Sequence, residues 1–290
     1  MKSENAWPIR PVAKDVLPSR LFEITDPPKK LFARGTLPDV KDLFLTVIGS
    51  RKYTRHGKDA CVHLIEGLAG YPFVIVSGLA LGIDGIAHRS ALKAGLPTIA
   101  VPGSGLADKV LYPRAHLGLA REILEAGGAL LSEYEAEEKA QMFMFPKRNR
   151  IMAGLAQAAL VIEAEEKSGS LITARLAMEY NRDVLAVPGP MFQSTGSGTH
   201  ELIKDGAYPI RTPFDILEIF GVHLHAPSDE KSPEDLPRDE ALCFRALAEP
   251  MQKDDLAKAL GWSAQKTNIA VSSLAVRGLI VDDGNLVRRA

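Results

Sequence analysis

Three cations, Lys147, Arg148 and Arg150, fall within four positions, with Asn149 among them and Phe145-Pro146 just before. The apolar run 151–156 that follows reads as a helix, so the basic stretch reads as the turn ahead of its N-terminus. Cations at that end oppose the positive pole of the helix dipole. A bound polyanion would offset the cost, and phosphate binding is the chemistry these residues point to. The formal net charge of the chain is only −1, so the cluster is a local device. An ordinary solvated turn is the competing reading for a basic run taken alone.

A second anion-binding pattern follows. Residues 160–162 read as a short buried strand, and Ser168-Gly169-Ser170 marks the start of the next helix. Free backbone N–H groups at a helix start, with small residues allowing close approach, make a site for phosphate or carboxylate. Ser170 and Thr173 add hydroxyl donors. Ordinary N-capping accounts for the serines equally well.

The elements that must position these groups repeat one grammar. Apolar runs at 45–48, 73–76, 97–101 and 183–187 end in Gly49-Ser50-Arg51, Ser77-Gly78, Pro102-Gly103 and Pro188-Gly189. Short β-branched runs of this kind are buried parallel strands, and helix-like stretches at 57–69, 84–95, 115–127 and 170–181 separate them. Alternating strands and helices predict an α/β fold with a doubly wound, mostly parallel sheet. Ligands on such sheets bind at the carboxyl ends of the strands, which makes Arg51 a phosphate contact. No G-x-G-x-x-G and no Walker A loop occurs, so nicotinamide and ATP sites lack their fingerprints.

With 290 residues, 46% of them hydrophobic, the chain can bury a large core and form one large or two unequal domains. Cys61 and Cys243 form neither a disulfide framework nor a metal site. No apolar run nears the ~20 residues that span a bilayer, and no signal peptide is evident; a reducing cytoplasm is the expected location. Near-neutral charge excludes a general nucleic-acid coat and permits a focused basic groove.

Residues 222–238 are rich in proline and charge and read as a linker; His223 and His225 within it have no third metal ligand. Beyond it, 239–248 and 254–260 have helical spacing, and Ser263 caps a third helix running to about Arg277. Strands at 279–281 and 285–289 flank Asp282-Asp283-Gly284, a hairpin signal. Helix–turn–helix plus hairpin predicts a small winged-helix domain over 239–290. Its third helix offers only Lys266 and Arg277 as cations, which leaves duplex reading, protein contact and auxiliary strand contact all open.

Taken in order, the motifs resemble the DprA/Smf DNA-processing family. The resemblance is carried by Gly49-Ser50-Arg51, Ser77-Gly78-Leu79-Ala80 with Gly82-Ile83-Asp84 and Ala87-His88, Tyr112-Pro113 and Ser132-Glu133. It continues through Phe145-Pro146 with Arg148-Asn149-Arg150, Ala153-Gly154-Leu155, Glu163-Ala164, Ser168-Gly169-Ser170-Leu171 with Thr173-Ala174, Ala186-Val187-Pro188-Gly189, Leu202-Ile203 and Gly206-Ala207. It implies an extended Rossmann-like domain over 41–221. It also implies a non-catalytic protein without cofactor or metal that binds single-stranded DNA, dimerises and helps load the RecA recombinase in natural transformation. The implied DNA-binding set is Gly49, Ser50, Arg51, Ser77, Gly78, Arg114, Lys147, Arg148, Asn149, Arg150, Ser168, Gly169, Ser170 and Thr173. The family also uses an appended winged helix. Two departures lie beside the expected pocket: His116 stands where the family has Asn, and the loop 105–111 is longer than usual. Residues 1–40 read as an N-terminal extension, since 1–20 are too short and proline-rich for the helical N-terminal domain of many members.

The alternative is an enzyme of nucleotide hydrolysis or transfer on a Rossmann-like scaffold. Asp84 and His88, four apart, share a helix face, and Glu133 and Glu163 complete the candidates. Helix-start stabilisation by Asp84 and local hydrogen bonding by His88 explain the pair more simply, and no nucleophile–base–orienter set is visible. This reading takes second place.

Overall fold

The run Leu43-Phe44-Leu45-Thr46-Val47-Ile48 is almost wholly apolar because it feeds two cores at once. Phe44 and Ile48 belong to one buried cluster, Leu45 and Val47 to another. Successive side chains on a strand point to opposite faces, so a strand covered on both sides has no polar position to spare. The same alternation holds for Phe73 and Ile75 against Val74 and Val76, and for Ala158 and Leu160 against Ala159 and Val161.

The computed structural model describes residues 6–222, 236–247, 250–276, 279–282 and 286–289. The chain divides into two compact units, 1–222 and 223–290. In the first, the elements in order are β1 (Arg10–Pro11), β2 (Phe32–Gly35), β3 (Leu43–Ile48), α1 (Arg55–Glu66), β4 (Phe73–Ser77) and α2 (Ile83–Lys93). There follow β5 (Thr98–Ala100), α3 (Leu117–Glu125), β6 (Ala129–Ser132), α4 (Met144–Leu155) and β7 (Ala158–Val161). The unit ends with α5 (Gly169–Glu179), β8 (Asp183–Ala186), α6 (Ser197–Lys204), β9 (Tyr208–Pro209) and α7 (Pro213–Ile219).

The strands form one mixed sheet in the order β1-β2-β6-β5-β4-β3-β7-β8-β9. Every pairing from β6 to β9 is parallel; β1 and β2 join antiparallel at one edge. From β3 the chain steps outward through β4, β5 and β6. It then returns along α4 to β7 on the other side of β3. The strand order therefore reverses between β3 and β7, and the loops at their carboxyl ends diverge there, the place where open α/β sheets bind ligands. Cys61, Leu64 and Ile65 of α1 and Ile83, Ala87 and Ala91 of α2 fill one face. Ile151–Ala153 of α4 and Leu171, Ala174 and Ala177 of α5 fill the other.

The described part of the N-terminal segment joins the large unit: β1 and β2 extend the sheet, and Leu17, Leu21 and Ile24 pack in the same cluster as Ile151 of α4. Arg20 ties this segment down, donating from Nη1 to the Leu155 carbonyl at 3.3 Å while its own carbonyl accepts from Arg182 Nη2 at 3.0 Å. Helix α4 begins earlier than expected, at Met144. Pro146 lies inside its first turn, where a missing N–H costs nothing, so the basic residues lie on the helix and not ahead of it.

The second unit contains α8 (Arg238–Ala246), β10 (Met251–Gln252), α9 (Lys253–Leu260), α10 (Ala264–Val276), β11 (Ile280–Asp282) and β12 (Leu286–Arg289). Its strands pair antiparallel in the order β10-β12-β11, over a core that includes Cys243, Leu256, Val271, Leu274 and Val287. Ser263 caps α10 as expected, its Oγ accepting from Lys266 N at 3.3 Å. Lys266 is occupied within the unit: its ammonium lies 2.8 Å from Asp239 and over the Trp262 ring. Most of the expected linker, with His223 and His225, lies outside the described residues, as do Asp283 and Gly284 of the expected hairpin turn and Arg277.

Candidate nucleic-acid interface

The site is assembled from the loops after β3, β4 and β5 and the first turns of α4. Arg51, three residues past β3, is exposed. Its loop is held from across the point of reversal. Glu163, two residues past β7, accepts from Thr54 N at 2.9 Å and from Thr54 Oγ1 at 2.5 Å, while Thr54 caps α1 by accepting from Gly57 N. The loop after β4 is held by Asp84 in the first turn of α2, whose Oδ2 accepts from Gly78 N at 3.1 Å and Ala80 N at 3.3 Å. Gly82 lets the two loops meet. Its φ is +89°, and a Cβ there would lie 2.6 Å from Arg51 Cα, so a side chain is excluded on both counts.

Arg148 is buried beneath these loops. Its Nη1 donates to the Gly78 carbonyl at 2.6 Å and also to the Val101 carbonyl. Gly78 admits the guanidinium, since a Cβ would sit 2.1 Å from Nη1. Burial lowers the Arg148 pKa to about 10, with Asp84 pulling it back up; the group stays charged at neutral pH. Burial raises Asp84 against the opposing pull of Arg148 and the two amides.

Above this floor lies a pocket lined by Arg51, Leu81, Tyr112, Phe145, Gly78 and Arg148. The Tyr112 and Phe145 rings are 5.4 Å apart and tilted by 52°, and the Arg51 guanidinium carbon lies 5.9 Å from the Phe145 ring centre. Tyr112 is 45% exposed. Two aromatic faces beside an exposed guanidinium can take a flat ring and its phosphate together.

The expected residues divide sharply. Arg51, Gly78 and Arg148 line the pocket, and Lys147, between the wall residues Phe145 and Arg148, keeps a 47% exposed side chain 3.9 Å from Glu133. Gly49 packs on Ile83, and Ser50 Oγ is engaged by the backbone of Lys52; both shape the Arg51 loop. Arg150 is corrected: it is buried and paired, Nη2 with Glu133 at 2.5 Å and Nε with Asp26 at 3.1 Å. Asn149 is buried as well. Glu133 and Asp26 neutralise Arg150 within the fold. Ser77 turns into the sheet and donates to the Val47 carbonyl at 2.6 Å. Ser168 caps α5, accepting from Ser170 N, with the two hydroxyls 2.7 Å apart; Thr173 is buried. The residues 168–170 and 173 do not line the pocket.

Arg114 is exposed and directed onto the Asp108 carbonyl. That long loop is pinned by the Asp108 carboxylate, which accepts from the buried Arg34 and from Arg121 Nε at 3.2 Å and Nη2 at 2.7 Å. Burial pushes Asp108 up, but the two guanidiniums outweigh it and hold its pKa below the ordinary carboxylate value. A depressed carboxylate stabilises the fold above its unfolded pKa and loses that contribution as pH falls through the folded value. Asp108→Asn should therefore unfold at lower denaturant than the parent at pH 7, with the gap closing below about pH 4. Denaturant midpoints at pH 7 and pH 3 test this; an equal gap at both would sink it. His116, at the other departure, holds the Leu79 carbonyl at 2.8 Å, next to the pocket loop, where Leu79 has a φ of +59°.

The residues weighed for acid–base chemistry all have structural partners. Asp84 holds the Gly78 loop, Glu163 holds Thr54 and Glu133 holds Arg150. His88 is buried, its Nδ1 2.8 Å from Thr98 Oγ1, and burial lowers its pKa to about 3. Among the described residues, no group of three or more His, Cys, Asp or Glu side chains is placed to hold a metal ion.

The model of the DNA recombination-mediator protein A family matches residues 9–221. Protein Smf of Escherichia coli is 42% identical over 224 residues, 77% of this chain and 59% of that protein. DNA processing protein DprA of Streptococcus pneumoniae is 42% identical over 219 residues, 76% of each. The chain belongs to the DprA/Smf family. The X-ray structure of the S. pneumoniae protein superposes with a TM-score of 0.66 at 40% identity, covering 73% of this chain and 74% of that one. The Helicobacter pylori DprA structure, which concerns that protein's single-stranded DNA binding mode, gives 0.64 at 32% identity over 73% and 95%. The family match ends before the second unit. Within the matched region, sequence reasoning passed over Tyr112 and Leu81 as pocket walls; their signal is position, each lying in a loop at the carboxyl end of a strand.

Proposed function

We propose that this chain binds single-stranded DNA without catalysing a reaction, through the pocket between Arg51, Tyr112, Phe145 and Arg148, and that it helps load RecA recombinase during natural transformation as a homodimer. The observation that carries the binding reading is an exposed arginine beside two aromatic rings at the point where the strand order reverses. Phosphate contacts of this kind are largely sequence-independent and salt-sensitive. Lys147 and Arg114, both exposed, are assigned to further phosphates. RecA loading, transformation and dimerisation rest on family membership. The strand order β5-β4-β3-β7-β8-β9 matches the Rossmann order 3-2-1-4-5-6 and supports an extended Rossmann-like domain. Three helices and a three-stranded antiparallel sheet support a winged helix in the second unit.

The test is anisotropy of a labelled oligo-dT and of the matching duplex across a salt series, for the whole chain and for residues 1–222. Tight, salt-sensitive preference for the single strand, kept on truncation, is the expected result. Binding that prefers duplex and vanishes on truncation would move the DNA contact to the second unit.

A further inference from the structure

The most exposed aromatic side chain among the described residues is remote from the pocket in sequence but close to it in the sheet. Phe192, 97% exposed, stands beside Met191, 79% exposed, at the tip of the loop after β8. The base of that loop is fixed. Ala164 N donates to the Thr195 carbonyl at 3.0 Å, and Gly198 N donates to the Ala164 carbonyl at 2.8 Å. The His200 ring nitrogen Nε2 lies 3.0 Å from the Gly189 carbonyl. Gly189 and Gly196 touch backbone to backbone, so that a Cβ on the first would lie 2.9 Å from the second's Cα.

Strand register places this loop relative to Arg51. Ile48 pairs with Val161 and Val161 with Ala186. The ladder runs on for one more residue on each side, with Ile162 N donating to Ile48 and Val187 N to Val161, both at 3.0 Å. Arg51, Ala164 and Gly189 each lie three residues beyond that shared level. Two inter-strand spacings, about 10 Å, therefore separate the carboxyl ends of β3 and β8, from which the Arg51 and Phe192 loops leave at the same end of the sheet.

We infer that Phe192 is a second base-stacking platform for a single strand held at the Arg51 pocket; this rests on the function proposed above. Phe192 and Met191 make a small apolar tip on a fixed loop, and the ring matches a nucleobase in size, whereas a protein partner needs roughly 800 Å² on each side. Stacking needs only a π face and tolerates any base. The segment between β7 and α5, Glu165-Glu166-Lys167, is exposed and net negative, so it adds no grip on phosphate. The contact is with the base, and it carries no salt dependence of its own.

The experiment compares the whole chain with Phe192→Ala and Phe192→Trp on a long oligo-dT across a salt series, with Arg51→Ala in parallel. Phe192→Ala should lose about fivefold or more in affinity, the lower end of what a stacked base contributes, with an unchanged salt slope. Phe192→Trp should bind like the parent, and its indole fluorescence should be quenched by the oligonucleotide. The inference is overturned, with the proposed function intact, if Arg51→Ala weakens binding while Phe192→Ala does not and the indole is not quenched. It is overturned equally if Phe192→Ala alters the sedimenting mass and leaves affinity unchanged, since a second copy of the chain then covers the ring. Failure of the parent chain to bind single strands removes the inference together with the function it rests on.

Discussion

Replacing Arg51 with alanine is expected to weaken oligo-dT binding severalfold near physiological salt and to leave thermal unfolding unchanged. The two halves of this expectation have separate physical grounds. Arg51 is exposed, so its loss opens no cavity, and Arg148 remains to counter the buried Asp84; surface changes of this kind stay within about 0.5 kcal/mol. Its guanidinium stands beside the Phe145 ring at the mouth of the pocket, on a loop pinned by Glu163 from β7 and by close approach at Gly82. Removing one phosphate contact should flatten the salt dependence of single-strand binding by about 0.7 in the log–log slope. Arg51→Lys keeps the point charge but not the planar fork, so it should keep the slope and lose part of the affinity. Anisotropy titrations of the three proteins over one salt series decide the matter. Equal affinity and equal slope for Arg51→Ala and parent would place the strand elsewhere.

That the exposed strand-end position of Arg51 could be read from sequence, while the burial and pairing of Arg150 could not, reflects where each one's partners lie. Arg51 is marked by what precedes it: a β-branched run buried on both faces, then Gly-Ser, at the strand end where ligands bind. Nothing more remote is needed to read it. Arg150 looks identical in sequence, yet it is neutralised by Glu133 from the segment after β6 and by Asp26 from the N-terminal segment, partners that only the fold brings together. The start of α4 was misplaced for a local reason. Pro146 reads as a boundary, although proline is well tolerated in a first helical turn. Within the N-terminal extension read over 1–40, β1 and β2 carry little sequence signal, being two and four residues long, and β2 includes Arg34. That arginine is buried against Asp108 in the 105–111 loop, a partner that only the fold brings to it. Asp84 was legible as a structural carboxylate at the start of α2, but not the loop it holds, because its partners Gly78 N and Ala80 N lie before the helix. Glu163 was not, since its partner Thr54 lies more than a hundred residues away.

Arg148→Ala should cost about 3 kcal/mol of stability, in the range for breaking charge-assisted hydrogen bonds and leaving buried partners unpaired. The guanidinium joins the Gly78 carbonyl after β4 to the Val101 carbonyl after β5. Alanine would leave both carbonyls without this donor, open a void below the pocket and remove the cation that counters Asp84. At roughly 2–4 °C per kcal/mol for a domain of this size, the midpoint should fall by about 6–12 °C. Arg148→Lys keeps the charge but not the longer, planar guanidinium whose Nη1 reaches both carbonyls, and should fall between. Single-strand binding should drop as well when measured far below the lowered midpoint, because the Gly78–Gly82 loop that Arg148 supports is the one packed against Arg51. This separates Arg148 from Arg51: the first variant loses stability and binding together, the second binding alone. A midpoint for Arg148→Ala that matches the parent, with binding still lost, would make Arg148 a direct contact for the strand and not the brace of the loops around it.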